Sequence, residues 1–323
     1  PDDFIDSLYD ELGNFYTVGM PEETNALKDG LFDDDDYRKQ VELVQEDSDQ
    51  LLDLALSRFR PGGTTFFYLS DIDLQCHMLW RHGEPKYTDA PRHPAWEEAA
   101  ALKHAGDIES YYERIDEVLG RVRERLPEDT LLVVMSDHGF QPYTRMMHLN
   151  AWLRDKGYLV LQGGKKTGHI ISDGDVDWSR TRAYGLGFNG LYVNLAGRDR
   201  DGIVPESERR RLMEEIATKL LQVEDPENGQ RAITKVYRRE EIYSDLGHRE
   251  LGPDLVIGYA ETYKGSNDGT LGEFSEALFM DNEEEWSGDH SMDHETVPGV
   301  LFSNRPLKKP VDDLANLAAA VVA

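Results

Sequence analysis

Cysteine is nearly missing from this sequence: Cys76 is the only one, so no disulfide can form within the chain. The fold must therefore be held by packing, with or without bound metal. So little cysteine is typical of a reducing compartment and favours the cytoplasm. The start, PDDFIDSLYDEL, lacks the basic and apolar character of a signal peptide. Because Pro1 is not a translational start, any targeting segment would lie upstream of it.

Long apolar runs and basic residues are also scarce. No apolar run approaches the roughly 20 residues that cross a bilayer. Only 35 Lys and Arg residues stand against 63 Asp and Glu, giving a formal net charge of -28. Such a surface, which is also typical of a solvated or salt-adapted protein, repels nucleic acid and anionic membranes. We therefore expect a small-molecule substrate and no nucleic-acid polymer as partner; the sequence leaves the oligomeric state open.

Strand and helix patterns alternate along the first half of the chain. Residues 64–70 (TTFFYLS) and 131–135 (LLVVM) predict two buried strands, and residues 96–126 between them predict one long helix. This order predicts a right-handed parallel crossover. The fold class expected is α/β, with a mainly parallel central sheet and helices on both faces.

Turn signals and periodicity organise the remainder. A helix ends at Gly157, antiparallel strands surround Gly190, and a helix covers 206–223. Asp33 to Asp36 suit the N-terminus of an earlier helix, where carboxylates meet unpaired backbone N–H groups. We expect one domain over 1–323, with an inserted cap or subdomain at about 160–285.

Aspartate and histidine occur together at three places beside predicted strands. Asp73 and His77 follow the first strand, Asp137 and His138 follow the second, and an Asp/His-rich loop precedes a third. The four-residue spacing puts Asp73 and His77 on one side of a helical turn, which favours Asp73 over the neighbouring Asp71 as a ligand. Ligands collect at the carboxyl ends of parallel strands, so we expect the first two pairs to converge.

Mixed carboxylate and imidazole ligands suit Zn²⁺ or Mn²⁺. A strand-terminal aspartate is also a common helix cap, and the sequence SDHG at 136–139 taken alone fits either role. Three Asp/His clusters are harder to explain by capping than one. The sequence therefore predicts a metal site.

These stretches resemble the alkaline phosphatase superfamily, in its branch of type I phosphodiesterases and nucleotide pyrophosphatases. Four motifs carry the resemblance: FFYLSDIDLQCHMLW, VVMSDHGF, MHLNAWLRDKGYLVL with DWSRTRAYGLGFNGLYVNL, and WSGDHSMDHETVPGVLFSN. The resemblance extends over nearly the whole chain from about residue 12. It implies two divalent metal ions, Zn²⁺ or Mn²⁺, of which at least one is expected here.

The resemblance also implies roles for particular residues. Asp73, His77 and His290 would ligate the first metal, and Asp137 and His138 the second. His290 takes precedence over His294 because the family motif is Gly-x-His. The residues that would lie near the substrate or behind the ligands are Asp71, Asp289, His294 and His148, the last of which suits a histidine satisfied by backbone equally well.

The family's Thr or Ser nucleophile, and an aspartate ligand of the second metal, belong to a segment expected upstream of Pro1. No catalytic nucleophile is identified in this chain, because Thr64 and Thr65 precede their predicted strand and would lie at the wrong end of the sheet. The resemblance implies metal-dependent hydrolysis of a phosphate ester, and it favours phosphodiesters or nucleotide-type substrates over monoesters. A phosphomutase is the alternative enzyme, and a metal-binding scaffold without a nucleophile is the alternative non-enzyme.

Overall fold

A computed structural model describes residues 4–17, 19–83, 92–171, 174–244 and 248–321. The α-helices in these ranges are α1 (Phe4–Leu12), α2 (Thr24–Lys28), α3 (Asp34–Arg58), α4 (Asp71–Leu79), α5 (Glu98–His104), α6 (Asp107–Arg125), α7 (Leu149–Asp155), α8 (Glu206–Leu220), α9 (Arg239–Ile242), α10 (Asn267–Leu271) and α11 (Leu314–Val321). No helix of the described ranges combines the length and the apolar character that a bilayer crossing requires.

The strands are short. They are β1 (Val133–Met135), β2 (Gln141–Met147), β3 (Gly168–His169), β4 (Ala183–Gly185), β5 (Gly190–Val193), β6 (Ile233–Arg238), β7 (Leu255–Tyr259), β8 (Thr262–Gly265), β9 (Glu273–Phe274), β10 (Phe279–Asp281), β11 (Gly288–Asp289) and β12 (Leu301–Ser303). The chain forms two compact units: the first contains 1–139, 284–288 and 299–323, and the second contains 140–283 and 289–298.

The first unit is built mainly from α3, α4 and α6. As predicted, the aspartates before α3 act at its N-terminus: the Asp33 side chain accepts a hydrogen bond from the Asp36 N–H at 2.9 Å. One buried apolar cluster joins α3 to α4 and α6 through Tyr37, Met78 and Tyr111. This packing fixes α4, the helix that carries Asp73 and His77.

The second unit contains the larger apolar core. The predicted antiparallel strands around Gly190 are confirmed, since β4 pairs with β5, and β7 extends that sheet antiparallel to both β5 and β6. The helix predicted at 206–223 is α8, and its buried Leu212, Ile216 and Leu220 join the core. Helix α7 ends before Gly157, whose φ of 74° suits a residue without a Cβ.

The α/β class is confirmed, but a mainly parallel central sheet is not. Among the strand pairs whose register the structure describes, only β2 with β8 is parallel. Strand β1 pairs with β12 in antiparallel orientation. The predicted parallel crossover before β1 is therefore absent from the described residues.

The prediction of a buried strand at 64–70 is wrong. The segment has no strand partner among the described residues. Its side chains alternate: Phe67 and Leu69 pack beside an apolar cluster of the first unit, whereas Phe66 and Tyr68 are exposed. The side chains alternate between the two faces as they would in a strand. A strand also requires a neighbouring strand to pair with its backbone N–H and C=O groups.

The single helix predicted at 96–126 is two helices, α5 and α6. Helix α5 ends at His104 with Ala105 as its C-cap, and Gly106 lies at the N-cap of α6 with Asp107 as its first residue. His104 and Asp107 are hydrogen-bonded across the break, with Nδ1 2.9 Å from Oδ2. Glycine disfavours the helix interior, so the break falls where the sequence carries a residue that costs helix stability.

Candidate metal centre

Helix α4 places Asp73 and His77 on the same side, one turn apart, as their spacing predicts. The His77 Nε2 lies 3.7 Å from the Asp73 Oδ2. Asp71 and Asp73 both lie in the first turn of this helix, where the partial positive charge of the helix N-terminus favours carboxylates.

The imidazole of His77 is held in one orientation from two sides. Its Nδ1 lies 2.7 Å from the Gly288 carbonyl oxygen, and the ring stacks on Trp286 with 3.8 Å between centroids. A carbonyl only accepts hydrogen bonds, so Nδ1 carries the proton and Nε2 has the lone pair. Gly288 lies so close to the backbone of α4 that an added Cβ would be 2.4 Å from the Cys76 carbonyl oxygen.

Asp137 and His138 follow β1 in the same unit. The His138 Nδ1 lies 3.1 Å from the Gly139 carbonyl oxygen, so the lone pair of this ring also lies on Nε2. That Nε2 is 3.8 Å from the Asp73 Oδ1 and 3.6 Å from the Asp137 Oδ1. Asp73 therefore lies between two histidines and presents one oxygen to each.

These separations fit a metal site better than direct hydrogen bonds. Nitrogen and oxygen at 3.6 to 3.8 Å are beyond hydrogen-bond range. Two atoms bound at about 2.1 Å to a tetrahedral zinc ion lie about 3.4 Å apart. Fixing Nδ1 on a carbonyl is also how metal-binding histidines are commonly oriented. The donor set in the first unit is thus chemically suited to a divalent ion.

Two residues of α4 beside these candidate ligands have other environments. The Asp71 Oδ2 lies 3.0 Å from the Arg114 guanidinium and 3.2 Å from the Gln45 amide nitrogen, so this carboxylate ties α4 to α6 and α3. Burial, with a smaller contribution from Asp73, raises the pKa of the Cys76 thiol to about 12. The Cys76 thiol therefore stays protonated at neutral pH in the ion-free protein.

The second unit contains the other predicted residues. There, the Asp289 Oδ2 lies 2.6 Å from the buried Lys264 ammonium, and Oδ1 accepts hydrogen bonds from the N–H groups of His290 and Ser291. The His290 ring makes an edge contact with Phe140, with centroids 5.4 Å apart. Asp289 therefore shapes the turn that carries His290.

His148 and His294, also in the second unit, differ in their surroundings. His148 immediately precedes α7, is buried, and has a pKa that burial lowers. Neither of its ring nitrogens has a hydrogen-bond partner among the described residues. His294 is 73% exposed in its side chain, and its Nδ1 lies 3.0 Å from the Tyr237 hydroxyl.

Two residues near the centre in the first unit were missed from the sequence. Trp286 is the first residue of the sequence WSGDH, so its place in the quoted motif was a signal for it. Glu22 lies in PEET, which has the composition of an exposed turn, yet it is only 3% exposed. Burial, with contributions from the like charges of Asp71 and Asp73, raises the pKa of Glu22 to about 7.

Asp and His side chains gathered around one carboxylate form a donor set of the kind that binds divalent metal ions. The family model for type I phosphodiesterase / nucleotide pyrophosphatase matches residues 15–293. The chain therefore belongs to this family, which is part of the alkaline phosphatase superfamily and is in general metal-dependent. No curated protein matches the sequence.

Proposed function

We propose that the protein is a divalent-metal-dependent phosphoric ester hydrolase acting on phosphodiesters or nucleotide-type substrates. Family membership supports phosphoesterase chemistry. The observation that carries the proposal for this chain is the position of Asp73, which has the His77 Nε2 at 3.7 Å and the His138 Nε2 at 3.8 Å on its two oxygens.

The residues around Asp73 are suited to hold a cation and keep it oriented. Hydrogen bonds to the carbonyls of Gly288 and Gly139 keep both imidazoles in the tautomer whose Nε2 can donate a lone pair. Asp137 adds a second carboxylate next to His138. A bound Zn²⁺ or Mn²⁺ would polarise a phosphoryl oxygen and stabilise the negative charge that develops on it.

The assignment of ligands to two ions stays a prediction. In it, His290 joins Asp73 and His77 at one ion, while Asp137 and His138 serve the other. The motif Gly288-Asp289-His290 supports the choice of His290, and the hydrogen bonds that the Asp289 carboxylate accepts from this turn are consistent with a fixed ligand.

The substrate proposed is a small phosphate ester rather than a nucleic-acid polymer. With a formal net charge of -28, the protein repels a polyanion along its whole length. A small ester carries few charges, and a divalent ion compensates them locally. The charge thus supports a restriction on substrate size.

Hydrolysis of bis(p-nitrophenyl) phosphate tests the proposal. We expect release of p-nitrophenol to stop when EDTA removes divalent ions, and to return when Zn²⁺ or Mn²⁺ is added, because the Asp and His side chains bind substrate only through the cation. Activity that is indifferent to EDTA would contradict the proposal.

Matched variants locate this activity within the chain. Asp73→Asn and His138→Ala should each reduce kcat/KM by at least about a hundredfold, as removal of one electrostatic contact to a transition state does. Asp116→Asn is the control, since Asp116 is exposed on α6. Equal losses in all three variants would instead indicate a general effect of substitution that does not locate the activity at Asp73 and His138.

A further inference from the structure

Glu22, in the first unit, is a buried acidic side chain that the fold does not use. It is 3% exposed, and neither carboxylate oxygen has a hydrogen-bond partner of ordinary geometry in the described part of the chain. Other deeply buried carboxylates differ: Asp225 is held by Arg145 at 2.7 Å, for example. A buried carboxylate without such compensation is costly, which calls for a functional explanation.

The backbone on both sides of Glu22 is fixed to α3 by one side chain. The Gln40 amide nitrogen donates to the Pro21 carbonyl at 3.0 Å, and its amide oxygen accepts from the Glu23 N–H at 3.1 Å. A few residues later, Leu27 packs in the apolar cluster that contains Met78 and Leu79 of α4. The segment is therefore anchored to both helices, and the burial of Glu22 follows from that anchoring.

Glu22 shares its surroundings with carboxylates of the candidate metal centre. Asp71 and Asp73 both act on it as like charges. The Tyr68 hydroxyl, in turn, is influenced by Asp73, Asp137 and Glu22 together, and these charges add to burial in raising the pKa of Tyr68. Three carboxylates thus lie within electrostatic range of one phenol group.

No basic side chain of the described residues compensates Glu22. The groups that act on its charge are burial, its own backbone, Asp71 and Asp73. The Arg114 guanidinium is committed to Asp71 and Asp49, at 3.0 and 2.9 Å. The positive charge that this environment lacks is the charge that a divalent ion at Asp73 would supply.

We propose that Glu22 is a positioning residue of the candidate metal centre, whose negative charge in the buried environment beside α4 raises the affinity of the centre for divalent cations. The inference rests on the proposed function, because it requires a cation at Asp73. Glu22 acts through the field at Asp73 and is not counted among the ligands. Its unfavourable burial in the ion-free protein is offset when the ion binds.

Titration of the purified chain with Mn²⁺ tests this inference, with the free ion measured by electron paramagnetic resonance. Glu22→Gln should raise the Kd for Mn²⁺ at least about tenfold, because a charge is lost in a poorly screened environment. Glu23→Gln is the matched control, because Glu23 is the adjacent residue and is exposed. The Kd of this variant for Mn²⁺ should stay within about twofold of the wild-type value. Glu22→Asp keeps the negative charge, so its Kd for Mn²⁺ should be closer to the wild-type value than the Kd of Glu22→Gln is.

Thermal unfolding in EDTA separates this role from a structural one. If the carboxylate serves the cation, Glu22→Gln should melt at or above the wild-type temperature without metal, and should gain less from added Mn²⁺. A fall in the ion-free melting temperature, or failure of the variant to fold, would overturn the inference, as would equal Kd values for Glu22→Gln and Glu23→Gln.

The same titration distinguishes failure of this inference from failure of the proposed function. If wild type binds no Mn²⁺, both are overturned. If Asp73→Asn abolishes binding while Glu22→Gln binds as wild type does, only the role of Glu22 is overturned.

Discussion

At the scale of single residues, Glu22 connects stability to pH in the ion-free protein. Its folded pKa, about 7, lies above the ordinary value of 4.5. Below pH 4.5 the folded and unfolded states both hold the proton; as pH rises towards 7, the unfolded state releases it first. Stability from this group is therefore lost as pH rises through about 7.

Glu22→Gln cannot undergo this loss. We expect the variant to gain on the order of 3 kcal/mol in unfolding free energy relative to wild type between pH 4.5 and pH 8, as a pKa difference of about 2.5 implies. Urea denaturation in EDTA at the two pH values measures the gain, with Glu23→Gln as control. If the difference in unfolding free energy between wild type and Glu22→Gln does not change with pH, the proposed link between Glu22 protonation and stability is refuted.

Individual residues also show which parts of a site a sequence can specify. The spacing of Asp73 and His77 determined their common helix side, since helix periodicity is local. The burial of Glu22 depends on Gln40, which lies on another helix and carries no sign of that role in its own sequence context. Local pattern therefore predicted which helix side carries the candidate ligands, while their charged surroundings required the tertiary structure.

At the scale of elements, the close approach of β11 to α4 controls the orientation of His77. Gly288→Ala would place a methyl group 2.4 Å from the Cys76 carbonyl oxygen and 3.1 Å from the Trp80 Cβ. We expect a loss of about 2 kcal/mol in unfolding free energy from overpacking. Since the Gly288 carbonyl holds the His77 Nδ1, affinity for Mn²⁺ should fall as well.

Gly120→Ala provides the comparison for this prediction. Gly120 is an exposed position within α6, and a Cβ there would meet nothing within 4 Å. Alanine should stabilise that helix by about 0.5 to 1 kcal/mol and leave Mn²⁺ binding unchanged. Urea denaturation and Mn²⁺ titration of both variants check the pair; stability equal to wild type in Gly288→Ala would show that the turn can relax.

Elements formed by local interactions were mostly predicted correctly, whereas elements that depend on residues distant in sequence were not. Helix α8 and the ending of α7 before Gly157 were read correctly because periodicity and turn chemistry are local. The segment 64–70 was read as a buried strand because its composition suits one, but strand formation depends on a distant neighbour. Strand direction failed for the same reason, since β1 pairs with β12, more than 160 residues away.

At the scale of the whole molecule, the excess of acidic residues should make stability depend on salt. With 63 acidic against 35 basic side chains, repulsion outweighs ion pairing over much of the surface. Raising KCl from 0.1 to 1 M shortens the Debye length from about 10 to about 3 Å. We expect a higher unfolding free energy at high salt, measurable by thermal denaturation in EDTA.

The choice of salt serves as the control for screening. NaCl and KCl should act alike at equal ionic strength, because screening depends on ion charge and concentration. Stability that falls with added salt would show that ion pairs such as Arg145 with Asp225 dominate over surface repulsion.

The family and the α/β class were readable from motifs spread along the chain, and the family match over 15–293 confirms that reading. The division into two compact units concerns contacts between residues far apart in sequence. The expected subdomain at about 160–285 and the ligand assignment to two ions remain predictions.

The stack of Trp286 on His77 gives the centre an optical reporter of its own. The indole and imidazole centroids are 3.8 Å apart, so a change in the charge of the imidazole occurs in contact with a fluorescent ring. Only five tryptophans are present, so this one is a substantial share of the emission. Occupancy of His77 can therefore be followed through the protein's intrinsic fluorescence, without any label attached to the site.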